Sequence, residues 1–137
     1  MAYQETFEIR TSGRGMSDVT GQVAAIVERA PKGAGLAHVF VRHTSCSLLM
    51  TENADPDVRR DLETLARRWA PDGDPAYRHD LEGDDDMAAH ARSVLSGTDV
   101  TVPFNDGQLL LGTWQGIYLW EHRARGHMRQ VVVTLIE

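Results

Sequence analysis

The stretch Leu36-Ala37-His38-Val39-Phe40-Val41, followed closely by His43-Thr44-Ser45, constrains the chain more than any other segment. A run this apolar reads as a buried strand. Polar side chains at its end must find hydrogen-bond partners or face a cleft, because an unpaired buried polar group costs roughly 1–3 kcal/mol. Further on, Glu52-Asn53-Ala54-Asp55-Pro56 opens a helix, with Asp55 as the N-cap and Pro56 at the first helical position. A strand that delivers a histidine and two hydroxyls to the mouth of a cleft is the frame within which the remaining segments are read.

Alternation of Tyr3, Phe7 and Ile9 with polar neighbours predicts a first strand. Ser17 or Asp18 is expected to cap a helix carrying Val19, Val23, Ile26, Val27 and Ala30, ended by Pro31 and Gly33. Strands are expected over Leu36–Arg42 and Ser47–Thr51, then a helix with the stripe Val58, Leu62, Leu65, Ala66 and Trp69. Residues 71–86 form one long loop, and Met87–Leu95 a short third helix stopped by Gly97. Strands follow at Val100–Phe104, Leu109–Leu111, Gln115–Trp120 and Met128–Ile136, with turns at Asn105-Asp106-Gly107 and Arg123–Gly126. This order lacks the regular strand–helix alternation of a parallel sheet and reads as one α+β domain over residues 1–137.

The formal charge of −6 argues against broad nucleic-acid or anionic-membrane binding. No window reaches the ~18 apolar residues of a membrane span, and Met1-Ala2-Tyr3-Gln4-Glu5 has no signal-peptide pattern, so a cytoplasmic location is the expectation. Cys46 is the only cysteine, which leaves no internal disulfide and no CxxC metal motif. Its expected role is packing.

Three histidines stand out. His43 ends a buried strand, His79 lies in the long loop, and His90 sits on the short helix. Together they make a ligand set for zinc or a similar divalent ion, with one position left open. Separately, they read as a core histidine, a loop histidine and a helix histidine. Asp84-Asp85-Asp86 reads as helix-capping carboxylates. Asp86 also stands four residues before His90 on one helical face, where it can orient the imidazole. Thr44, Ser45 and Ser47 raise a nucleophile, but no GxSxG elbow is present, and binding a phosphate or capping a bend competes with that role. In Gly112-Thr113-Trp114-Gln115-Gly116, Gln115 is the expected ligand contact and Trp114 the expected core residue. Glu121 and Arg129 read as a cross-strand ion pair, or as a pair that locks an interface or holds an anionic substrate.

Taken in order, His43-Thr44-Ser45, Glu52-Asn53-Ala54-Asp55-Pro56, Tyr77-x-His79, Gly83–His90, Gly97 and Gly112-Thr113-Trp114-Gln115 with Glu121 and Arg129 resemble the YjbQ-like family over nearly the whole chain. The resemblance implies a compact α+β sandwich of mostly antiparallel strands with three helices, assembled as a homotrimer. It also implies a secondary thiamine-phosphate synthase activity, which joins a hydroxymethylpyrimidine diphosphate to a thiazole phosphate and releases pyrophosphate.

On that reading His43, Asp86, His90 and Glu52 are the catalytic candidates. Thr44, Ser45, Asn53, Asp55, Thr113, Gln115 and Arg129 contact a small phosphorylated substrate, and His43, His79 and His90 hold the metal. Asn53, Asp55, Asp86, Thr113 and Gln115 should then share one cleft with the histidines. Displacing pyrophosphate needs cations or a divalent ion to neutralise the leaving group. Ligand type favours zinc, whereas the reaction favours magnesium, which prefers oxygens such as those of Asp55, Asp85 or Asp86. Lys32 is the only lysine, so a phosphate clamp must use arginines or metal. Two rival readings stand beside this one. The first is a metal-dependent hydrolase with Glu52 or Asp86 as base, and the second a ligand-binding trimer without turnover.

Overall fold

A computed structural model describes residues 2–30 and 32–137. In chain order the elements are β1 (Ala2–Arg10), β2 (Gly15–Asp18), α1 (Thr20–Glu28), β3 (Ala34–Val41), β4 (Cys46–Glu52), α2 (Pro56–Trp69), α3 (Asp86–Ser96), β5 (Asp99–Asn105), β6 (Gln108–Leu109), β7 (Gln115–Glu121) and β8 (Met128–Ile136). The strands form a five-stranded sheet ordered β1-β8-β3-β5-β6 and a three-stranded sheet ordered β2-β7-β4. Every strand pairing is antiparallel. The expected α+β fold with three helices and mostly antiparallel strands is what the chain adopts.

The core lies between the two sheets and α1. Ala37, Val39, Val131, Val133 and Leu135 come from the larger sheet, Leu48, Ile117 and Leu119 from the smaller one, and Val23, Ile26 and Val27 from the helix. Strand β8 alternates buried and half-buried positions, as a strand with one face outside the core should. Strand β7 is instead buried from Gly116 to Glu121. Its second face lies under α2 and α3, where Trp120 Nε1 donates to Glu63 at 3.1 Å and the Arg59 guanidinium lies 5.2 Å over the Tyr118 ring. Burial on both faces is why Ile117–Trp120 reads as an unbroken apolar run.

Asp55 caps α2 as expected, its carboxylate accepting the Asp57 N–H at 2.9 Å. Gly97 ends α3 at φ 94°, where a side chain would be strained. Asp106 and Gly107 both have positive φ, the signature of the tight turn expected between β5 and β6.

Several expectations need correction. Ser17 and Asp18 belong to β2, and the N-cap of α1 is Val19. Asp18 still accepts the Thr20 N–H at 2.9 Å. The expected helix end at Pro31 lies outside the described residues. Strand β6 is shifted back to Gln108–Leu109. The apolar stripe of α2 is only partly covered, with Leu65 and Trp69 both exposed. β7 and β8 follow one another in sequence but lie in different sheets, so Glu121 and Arg129 bridge two layers instead of pairing across one ladder.

Candidate metal centre

Helix α3 begins at Asp86, which places His90 one turn further along the same face. Asp86 is only 2% exposed, yet its carboxylate serves three partners. Oδ2 lies 2.6 Å from His79 Nε2 and 3.0 Å from His90 Nε2, while Oδ1 lies 2.9 Å from Arg123 Nη1. Glu82 Oε2 lies 3.6 Å from His79 Nε2. One ligand atom each from His79, Glu82, Asp86 and His90 falls within 4.8 Å of all the others.

Proton counting shows what this cluster demands. His90 Nδ1 lies 2.9 Å from the Thr44 carbonyl, which can only accept, so Nδ1 carries the hydrogen. A neutral His90 then turns a bare Nε2 lone pair toward a carboxylate oxygen that also has only lone pairs to offer. The contact is attractive once a proton or a metal ion sits there. An imidazole locked by a backbone carbonyl, with its other nitrogen facing a carboxylate, is the arrangement that orients a metal ligand.

The charges tell the same story. Burial works against ionisation of Asp86, but the hydrogen bond from His79 and the charges of His90 and Arg123 outweigh it and hold the pKa below the usual carboxylate range. The hydrogen bond to Asp86 raises the pKa of His79. Burial also opposes ionisation of Asp85, yet Arg123 and the Ala124 N–H bring it down to about 2. The centre is an anionic pair of carboxylates that draws in positive charge.

His43 does not join this group. Its Nε2 accepts the Gln130 backbone N–H at 2.8 Å, and burial together with the nearby Arg129 charge lowers its pKa. It does share an open hollow of about 370 Å³ with Thr44, His90, Ser93, Val94, Gly97 and Thr98, directly beside the centre. Glu82, and not His43, stands with His79, Asp86 and His90 among the candidate ligand atoms.

Ser45 and Arg129 turn inward. Arg129 Nε donates to Glu121 Oε1 at 2.8 Å, and Nη2 donates to Glu121 Oε2, the Ser45 carbonyl and Ser45 Oγ. Thr11 Oγ1 donates to the same Glu121 at 2.6 Å. These groups are buried within the chain, and their hydrogen bonds satisfy one another. They tie the two sheets together and engage Ser45 and Arg129 inside the chain. Ser47 and His122 are 2.7 Å apart but wholly enclosed, so no substrate reaches that hydroxyl. Burial pushes the Cys46 thiol up to about 12, which fits a packing role.

Glu52, Asn53, Asp55, Thr113 and Gln115 gather at the other end of the smaller sheet. Glu52 is in register with Gln115, whereas Cys46 is in register with Glu121 at the end near His90. Seven residues of strand, roughly 20 Å, separate the two ends. Asn53 Nδ2 donates to the carbonyls of Thr113 and Gln115, both at 3.3 Å. Gln115 Oε1 accepts the Gly112 N–H at 2.9 Å, and Glu52 Oε2 accepts the N–H groups of Ala54 and Asp55 at 3.0 and 2.9 Å. The expected single cleft is thus two clusters within one chain. Glu52 acts here as a turn cap far from the histidines. Trp114 is 64% exposed and not core, because the latched loop carries it outward.

The aspartates before α3 depart from the capping expectation as well. Asp85 is the N-cap residue but makes no capping bond, since its carboxylate binds Arg123 and Ala124 instead. Arg123 was missed by the sequence reading, and so was Glu82. The spacing of Glu82 four residues before Asp86 was a faint signal for the second. Arg123 lies in a turn, and nothing in its sequence neighbourhood pointed to it.

The family model for UPF0047 YjbQ-like proteins matches residues 5–137. The chain is 47% identical over 131 residues to the UPF0047 protein sll1880 of Synechocystis, covering 96% of this chain and 89% of that protein. Against the UPF0047 protein YjbQ of Escherichia coli O157:H7 it is 41% identical over 136 residues, covering 98% of each. Among solved structures, a YjbQ/UPF0047 family protein of Clostridium acetobutylicum, described as uncharacterized, superposes with TM-score 0.87 at 34% identity, covering 96% of this chain and 99% of that one. A hypothetical protein of Aeropyrum pernix K1 gives TM-score 0.88 at 28% identity, covering 98% of each.

Proposed function

The chain belongs to the UPF0047 YjbQ-like family, and we propose that it is a divalent-metal-dependent enzyme acting on a small phosphorylated substrate. The convergence of His79, Glu82, Asp86 and His90 within 4.8 Å carries this reading. Two imidazoles and two carboxylates suit Zn²⁺ or Mn²⁺, and the two oxygens relax the conflict between an all-histidine set and a reaction that favours harder ions. The bound ion would supply Lewis-acid neutralisation of charge on a departing phosphate oxygen.

The transformation that fits the family resemblance is thiamine-phosphate synthesis. A C–N bond forms between the thiazole nitrogen and the pyrimidine methylene, the C–O bond to the diphosphate breaks, and its electron pair leaves on pyrophosphate. In this chain the hollow bounded by His43, Thr44, Val94 and Thr98 would seat the ring beside the centre. Neutral His43, with Nε2 already accepting from Gln130, has its proton on Nδ1 and can donate there. Asp86 and His90 would hold the centre's shape.

One observation favours hydrolysis as the second reading. Arg123 and Arg129 are both committed to carboxylates and do not offer a clamp for a diphosphate. We further propose a homotrimer. Leu36, Phe40, Met128 and Ile136 stand exposed on the outer face of the larger sheet, and β1 and β6 are free edges of that sheet within the chain. No helix among the described residues is long and apolar enough to cross a membrane.

The test uses protein purified without a polyhistidine tag. Stoichiometric Zn²⁺ or Mn²⁺ that is lost in His90→Ala supports the centre, and a metal-free protein that takes up neither ion overturns it. With metal bound, thiamine phosphate and pyrophosphate should appear together from the two substrates. Phosphate release from the diphosphate without coupling would assign hydrolysis instead. Light scattering at micromolar concentration should give three times the chain mass, and a stable monomer would end the trimer proposal.

A further inference from the structure

We infer that Arg123 is a positioning residue that fixes which oxygen of Asp86 faces the metal, an inference that rests on the metal reading above. Arg123 enters from the turn between β7 and β8, an element that contributes no ligand. Its guanidinium reaches three acceptors, all within the segment that carries Glu82 and Asp86. Nε donates to Asp85 Oδ2 at 2.9 Å, Nη1 lies 2.9 Å from Asp86 Oδ1, and Nη2 donates to the Glu82 carbonyl at 3.0 Å. A planar fork with several fixed donors can hold such a segment in one orientation, whereas a single ammonium cannot.

The consequence for Asp86 is specific. With Oδ1 held by Arg123, Oδ2 is the single oxygen turned to both imidazoles. Free rotation of the carboxylate would present both oxygens and crowd the position left for substrate. The turn itself is anchored from behind. The Arg123 N–H donates to Glu121 Oε2 at 3.1 Å, and Glu121 is buried against Arg129 and Thr11. The side chain that aims Asp86 is thus tied to the clamp that joins the two sheets.

A rival role makes the opposite prediction. If Arg123 acted only by its charge, a cation beside the site would repel the metal, and removing it would tighten binding. If it only stapled the loop, the damage should be matched by breaking its other carboxylate contact, to Asp85.

Co²⁺ titration of the metal-free full chain reads all of this, because the visible spectrum of Co²⁺ reports the ligand arrangement independently of affinity. Arg123→Gln should bind Co²⁺ roughly 10–100-fold more weakly, the usual scale for an outer partner of a metal ligand, with an altered visible band. Arg123→Lys should keep the charge and recover only part of the affinity. Asp85→Asn, which leaves the Arg123–Asp86 contact in place, should keep the wild-type spectrum. The inference is overturned if Arg123→Gln binds as tightly as wild type or more tightly with an unchanged spectrum. It is equally overturned if Asp85→Asn reproduces the Arg123→Gln loss and spectrum. Wild-type protein that binds no Co²⁺ would bring down the metal reading and this inference together, whereas failure of the variants alone removes only Arg123.

Discussion

The two ends of the β4–β7 ladder are both dense in polar side chains, yet they differ in how their hydrogen bonds close. At the Gln115 end the hydrogen bonds pair donors with acceptors between neighbouring loop groups. Asn53 latches two carbonyls, Gln115 closes onto Gly112, and Glu52 caps the approach to α2. At the Glu121 end, His79 and His90 converge on one oxygen of Asp86, and the His90 contact closes only when a proton or a metal ion lies between ring and carboxylate. A cluster that satisfies itself has been spent on architecture. One whose contacts depend on a proton or an ion is where chemistry can happen.

The sharpest way to break this contrast is to treat both ends alike. Asp86→Asn keeps the size of the side chain but removes the charge, and should abolish stoichiometric metal binding and cut any turnover by roughly 10² or more. The same assay on Asn53→Ala should show metal binding unchanged. If the two variants behave alike, the division between the ends is wrong.

Acid stability supplies the next test, because His122 lies beside Glu121 and is buried as a neutral ring. Burial, with the Arg92 charge, lowers its pKa to about 3. An unfolded histidine titrates near 6.5, so the unfolded state takes up a proton first as pH falls. His122 therefore contributes stability that is fully present above about pH 6.5 and is lost progressively down to about pH 3. Urea melts between about pH 7 and 4.5 should show a loss on the order of a few kcal/mol, and His122→Asn should flatten that part of the slope. An unchanged slope in the variant would place the acid sensitivity elsewhere.

Smaller effects are expected at the satisfied end. Asn53→Ala should cost about 1 kcal/mol in a chemical melt, the net worth of a typical lost hydrogen bond. A loss of metal with no loss of stability would reverse the assignment. Trp114→Ala should change the stability of the isolated chain by no more than about 0.5 kcal/mol, since the ring is mostly in solvent. A large drop that depends on protein concentration would instead place Trp114 in a contact between copies.

Local patterns carried much of the architecture into the sequence. Asp55-Pro56, Gly97 and Asp106-Gly107 act through their own backbone chemistry, so their turns and caps were legible one segment at a time. The alternation of β8 was legible because one face lies against the core. Strand β2 was not, because four residues held by β7 carry no period of their own. Within the site, the Asp86–His90 pair followed from helical spacing, and His79 from its motif. Glu82 and Arg123 depend on how the long loop folds back against the β7–β8 turn, a long-range event that no local pattern records. Trp114 was misplaced, whereas the Glu121–Arg129 ion pair was legible and only its bridging of two sheets was not. Trp114 was judged by side-chain type, and the latched loop turned the aromatic outward.

On the proposed metal reading, the buried thiol bears on which ions can compete for the centre. Cys46 is fully enclosed, and burial pushes its thiol up to about 12, so it stays protonated at neutral pH. Soft metals such as Cu⁺ seek sulfur donors, and the chain's lone cysteine withholds its own from them. Discrimination among ions is thereby left to nitrogen and oxygen donors. Mild oxidants, which attack thiolates, should leave Cys46 unmodified.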